Sequence, residues 1–170
     1  HEDTQITSPD DPDLDALKAA LVDGKVLGYS TFISSWVHSA LKTNPDAPHN
    51  NSHAGEEVIY VCDGSSGAHA MAIVGYDDNI WSDINGNDKV DKGEMGAFKI
   101  VNSWSDQYAN KGFNWVAYDA MNQVSSVQGS PFVNRRPIFE FVRYLNARDY
   151  NDLSDMYFEY TVNTARRNQH

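Results

Sequence analysis

The stretch that decides how this chain is read is residues 67–104, GAHAMAIVGYDDNIWSDINGNDKVDKGEMGAFKIVNSW. It opens on a glycine turn and runs into an apolar segment headed by His69. It then passes through evenly spaced Asp and Asn residues and closes on a second apolar segment that ends in Asn102, Ser103 and Trp104. Two short β-rich runs with a decorated loop between them predict neighbouring strands carrying polar groups at their ends.

Outward from that stretch the same pattern recurs. EEVIYVCDG and HAMAIVGYDD, divided by the turn DGSSG, predict a hairpin. GAFKIVNSW and GFNWVAYDAM predict another across SDQYANKG. Upstream, DDPDLDALKAALVDGK predicts a helix: Asp11 as cap, Pro12 in the first turn, Leu14, Leu17 and Leu21 on one face, Gly24 as terminator. KVLGYSTFISSW then predicts a strand. Residues HSALKTNPDAPHNNSHAGEE form a polar connection holding His38, His49 and His53; their loose spacing assigns them no role. RPIFEFVRYL and DMYFEYTVNT predict two further strands in the tail. The fold class expected is α+β, dominated by antiparallel sheet, with a polar leader at 1–12 and additional strands in 129–170 that could begin another β domain.

Bulk properties exclude several functions. The 170 residues suffice for one domain with a core, and 41% hydrophobic with 22% charged residues is globular usage. A net charge of −11 repels phosphate backbones and anionic lipid, which argues against nucleic-acid and membrane partners. The single cysteine, Cys62, leaves no internal disulfide and no CxxC metal knuckle. The acidic start HEDTQITSPDDPD has none of the character of a signal peptide, so any export signal is expected upstream.

The loop between the two runs has the order of a calcium-binding turn. With Asp83 first in a twelve-residue register, Asn85, Asn87, Asp91 and Glu94 fall at positions 3, 5, 9 and 12. Lys89 at position 7 offers its backbone carbonyl, and Val90 is the apolar eighth residue. Ca2+ is the cofactor expected. Position 6, commonly glycine, is Asp88, and Gly93, Gly96 and AFKIVNSW predict that a strand follows instead of a helix.

GAHAMAIVGYDD, GAFKIVNSW and NKGFNWVAYD together resemble the C-terminal half of the papain-like cysteine peptidases, and LDALKAALVDGKVLGYSTF is similar to the helix and strand preceding that half. The resemblance spans roughly residues 14–122. It implies a papain-like half over 13–128, a partial barrel with the loop 83–94 inserted. It also implies His69 as catalytic base, Asn102 as its orienting partner and Trp104 as a cover over both. His69 and Asn102 are 33 positions apart, more than the family's usual connection, and the inserted loop accounts for the excess.

Where the family continues Asn-Ser-Trp-Gly with a second Trp-Gly, this chain has Ser105 and Tyr108-Ala109. No Cys-Gly-Ser-Cys-Trp-like motif opens a helix, and Cys62 is expected to be a small buried hydrophobe. The implied protein is a secreted bacterial endopeptidase acting on protein or peptide substrates. Its nucleophile would come from an N-terminal half of the same enzyme, and this chain alone would be inactive. The rival expectation is a non-catalytic, calcium-dependent protein-binding module.

Overall fold

The computed structural model describes residues 2–7, 12–47, 52–132 and 135–146. Its centre is one sheet of eight strands and, among the described residues, a single α-helix. The helix, α1 (Leu14–Val22), is capped by Asp13, whose carboxylate accepts the Ala16 N–H at 2.9 Å. The cap is therefore Asp13, not the expected Asp11, and Pro12 precedes the helix. Leu17 is fully buried, Leu14 and Leu21 pack beside it, and Gly24 leaves the last turn at φ 77°.

In chain order the strands are β1 (Glu2–Thr7), β2 (Leu27–Phe32), β3 (Trp36–Ala40), β4 (Glu57–Cys62), β5 (Ala68–Trp81), β6 (Met95–Val101), β7 (Phe113–Ala117) and β8 (Val142–Asn146). They lie side by side as β1-β8-β2-β5-β6-β7-β4-β3, with β1 and β3 at the edges, so the sheet is open and not a closed barrel. Every pairing is antiparallel except β4 with β7, which makes the sheet mixed and not wholly antiparallel. The expected β6–β7 hairpin is present, with Val101 opposite Phe113.

The other expected hairpin is not. β4 and β5 are separated in the sheet by β6 and β7, although DGSSG joins them. The turn's backbone groups bond to the 3-10 turn Ile33–Ser35 instead. Ile33 N–H donates to the Gly67 carbonyl at 2.9 Å, and Asp63 N–H to that of Ser35 at 2.7 Å. Gly67 sits at φ 73°, and a Cβ there would lie 2.2 Å from Ser34 Oγ. Those contacts carry the chain across the end of the sheet instead of reversing it in register.

Three further expectations change. KVLGYSTFISSW is broken at Ile33, so β2 lies inside the sheet and β3 at its edge, where it carries His38. The leader contributes β1, and in the segment expected to begin another domain β8 pairs with β1 and β2 of this same sheet. Within RPIFEFVRYL only the end is strand; DMYFEYTVNT lies outside the described residues.

Strand alternation divides the core into two clusters, one on each face. Leu27, Tyr29, Ile59, Met71, Ile73, Phe98, Ile100 and Val116 pack with α1 on one face. Leu41, Val58, Ala97, Trp115 and Ala117 pack on the other with Ile80, Ile84 and Val127. Ile84 belongs to the acidic loop, so that loop is anchored by an apolar residue as well as by its polar groups.

Candidate active site and the acidic loop

The register of β2, β5 and β6 brings the first group of polar residues together. Thr31 lies opposite His69, and Ala72 opposite Val101. Carrying that pairing one step further sets Asn102 beside Met71, diagonal to His69 and within side-chain reach. The Asn102 N–H is held by the Gly112 carbonyl at 3.0 Å, which fixes the strand end.

His69 Nε2 lies 3.0 Å from Asn102 Oδ1. The same Oδ1 accepts the Ser103 backbone N–H at 2.8 Å, so that amide atom is an oxygen. It follows that His69 Nε2 donates and carries the ring proton. Nδ1 keeps a lone pair and is free to take a proton. Asn102 is 7% exposed, and its Nδ2 makes no hydrogen bond of ordinary geometry.

The Trp104 ring stacks near the imidazole, centroids 5.1 Å apart and planes inclined by 32°. Tyr108 meets Trp104 edge-on at 5.2 Å. Burial and the Glu57 carboxylate raise the Tyr108 phenol above its ordinary value, and the nearby Asn102 amide offsets part of this. Ser105, in the place the resemblance gives to glycine, has φ 74°, and Ala109 has φ 42°. Both positions thus hold a left-handed backbone without the glycine that favours it.

Cys62 is fully buried in the first cluster, with its sulfur facing the carbonyls of Phe32 and Gly64. Burial raises its thiol above the ordinary value, against smaller lowering by the Phe32 carbonyl and Arg136. A buried thiol held protonated is a packing residue, not a poised nucleophile.

In the acidic loop Asp88 has φ 58°, the left-handed turn that position 6 requires. Asp83 Oδ1 accepts the Asn87 N–H, and the side-chain oxygens of Asn85 and Asn87 accept the N–H groups of Asn87 and Lys89. The last residue of the register is engaged by the protein itself. Glu94 is fully buried: Oε1 accepts the N–H groups of Ile84 (2.8 Å) and Asn85 (3.4 Å), Oε2 the Trp81 indole and the Asp91 N–H, both at 3.0 Å. Four donors thus surround the Glu94 carboxylate within the protein. Asp91 Oδ2 is taken by the amide nitrogens of Asn85 and Asn87, at 2.8 and 2.6 Å. Lys89 gives its backbone N–H to Asn87. Among the described residues no group of three or more His, Cys, Asp or Glu is placed to hold a metal ion.

Two of the three histidines without a sequence role, His38 and His53, meet a carboxylate. His38 Nδ1 lies 2.9 Å from Glu57, which also receives the Asn114 amide. His53 Nδ1 lies 3.3 Å from Glu56, with its ring 4.7 Å from that of Trp115. His49 lies outside the described residues. Strand register sets Thr31 opposite His69 and Asn114 opposite Ile100, while the turn between β6 and β7 carries Tyr108 to Trp104; nothing in the local sequence marks Thr31 or Asn114.

No protein-family model and no curated protein matches this chain. Among solved structures it is similar to xylellain, a cysteine protease from Xylella fastidiosa. The identity is 20% and the TM-score 0.42, over 86% of this chain and 40% of that one. It is also similar to the Amb a 11 cysteine protease, a major ragweed pollen allergen, in its proform. There the identity is 13% and the TM-score 0.41, over 84% of this chain and 31% of that one. The chain thus spans less than half the length of these structures.

Proposed function

We propose that His69 and Asn102 are the base side of a papain-like cysteine endopeptidase site whose thiol nucleophile lies outside this chain. The reading is carried by the 3.0 Å bond from His69 Nε2 to an oxygen whose identity Ser103 fixes. That bond leaves Nδ1 as the acceptor. Nδ1 takes the proton of an incoming thiol, the sulfur attacks the peptide carbonyl, and the protonated ring returns its proton to the departing amine. Water then releases the acyl group from sulfur with the same imidazole as base. Asn102 holds the ring without adding charge, and Trp104 shelters the bond from solvent. Calcium has no step in this chemistry.

Two measurements test it. Nitrogen-15 NMR of His69 is expected to show the Nε2–H tautomer, and Asn102→Ala to mix the tautomers. Joined to a polypeptide that opens a helix on a Cys-Trp motif, the chain is expected to cleave peptides, with Asn102→Ala lowering the rate on the order of 10²-fold. An Nδ1–H tautomer defeats the proposal. So does peptide hydrolysis by this chain alone that disappears on Cys62→Ala.

A further inference from the structure

We propose that the ammonium group of Lys42 is the resident cation of the 83–94 loop, standing where the loop's spacing reserves a place for a divalent ion. Lys42 Nζ lies 2.6 Å from Asp83 Oδ2 and 2.7 Å from Asp88 Oδ1. The Asp83 side chain is only 2% exposed, so its charge is withdrawn from water and needs a partner. Lys42 supplies that charge from a position 41 residues upstream of Asp83.

Its backbone is not free to drift. Leu41 is buried in the second cluster beside Ile80 and Ile84, its N–H bonds the Glu56 carbonyl, and its carbonyl accepts the Gly55 N–H, both at 2.8 Å. The ammonium is therefore delivered by a fixed anchor to the mouth of the loop.

The arrangement also accounts for Asp88. A glycine at position 6 would avoid the strain of φ 58°, but it would remove the second carboxylate that Lys42 grips. The remaining acids are answered within the protein: Asp91 by two side-chain amides, Glu94 by four N–H groups. A calcium ion asks for six to eight oxygens and would have to displace the ammonium and turn both amides around.

The test is thermal melting and calcium titration of the whole chain as wild type and as Lys42→Met, which keeps most of the aliphatic stem. The wild type is expected to melt at the same temperature in chelator and in calcium. In chelator Lys42→Met is expected to melt about 3 °C lower. Calcium is expected to restore it and to bind it at least about 10-fold more tightly than the wild type. Lys42→Arg, which keeps the charge, is expected to stay insensitive to calcium. Equal calcium affinity of wild type and Lys42→Met overturns the proposal. So does a Lys42→Met protein that melts with the wild type in chelator, or one that calcium fails to restore.

Discussion

His69 and Asn102 are far apart in sequence and meet at 3.0 Å, whereas Asp83 and Glu94 share one short loop and turn to different partners. The contrast lies in what holds each group. The first pair hangs from strands whose ladder fixes side-chain positions, and the Ser103 N–H pins the Asn102 oxygen that faces His69. In the loop every oxygen has several N–H donors nearby, and a lysine from a distant segment competes as well. Spacing constrains backbone; it does not choose among equally near partners.

The largest effect that would test this contrast is at Glu94. Replacing it by alanine strands four N–H groups in a buried site, and urea denaturation is expected to show a loss of about 3 kcal/mol or more. A loss below about 1 kcal/mol would mean that those donors find other acceptors and that Glu94 is not the loop's anchor.

On the other side of the comparison, Gly67 starts the segment that delivers His69. A Cβ there would also lie 2.9 Å from the Ser34 backbone nitrogen, a clash that side-chain rotation does not relieve. Gly67→Ala is expected to cost about 2 kcal/mol and to shift the His69 imidazole resonances. Unchanged resonances would show that the dyad is held by β5 and β6 alone.

Acid probes the loop more gently. Burial pushes the Asp83 carboxyl up, but the Lys42 ammonium and the N–H groups of Asp88 and Asn87 outweigh it and hold it below the ordinary range. A group depressed in the folded state contributes its stability above the unfolded value, near pH 4, and loses it as pH falls through the folded value. Stability is therefore expected to fall as pH drops below about 4, with Asp83→Asn flattening that slope. A slope unchanged by the substitution would remove Asp83 from the account.

The smallest effects compare two strained residues. Ser105→Gly is expected to stabilise by about 0.5–1 kcal/mol, because Ser105 holds a left-handed backbone at an exposed position. Asp88→Gly relieves the same kind of strain but loses a Lys42 contact, so its net change is expected near zero. Equal gains at both sites would show that the Asp88–Lys42 pair contributes nothing.

Much of the fold could be read directly. The leucine spacing of α1 and the turn between β6 and β7 are local signals, and both are found where expected. DGSSG misled because a turn-rich sequence specifies a change of direction and not the strand to be paired. Ile33–Ser35 captured its backbone groups instead. The leader's role as β1 was invisible for a related reason: its partner, β8, lies at the other end of the described chain. Of the site, His69 and Asn102 stood out by resemblance. Thr31 and Asn114 did not, because only register brings them near. Lys42 carries no signal at all in its own surroundings, KTNPD.

By itself the sequence determined the acidic, single-cysteine character of the chain, its helix, most of its strands, and the two polar groupings worth examining. Each depends on neighbours a few residues away or on simple counts. Tertiary structure alone decided the strand order, the proton position on His69, and the place of the Lys42 ammonium at the acidic loop. These depend on contacts between distant segments, where packing and hydrogen-bond competition set the outcome.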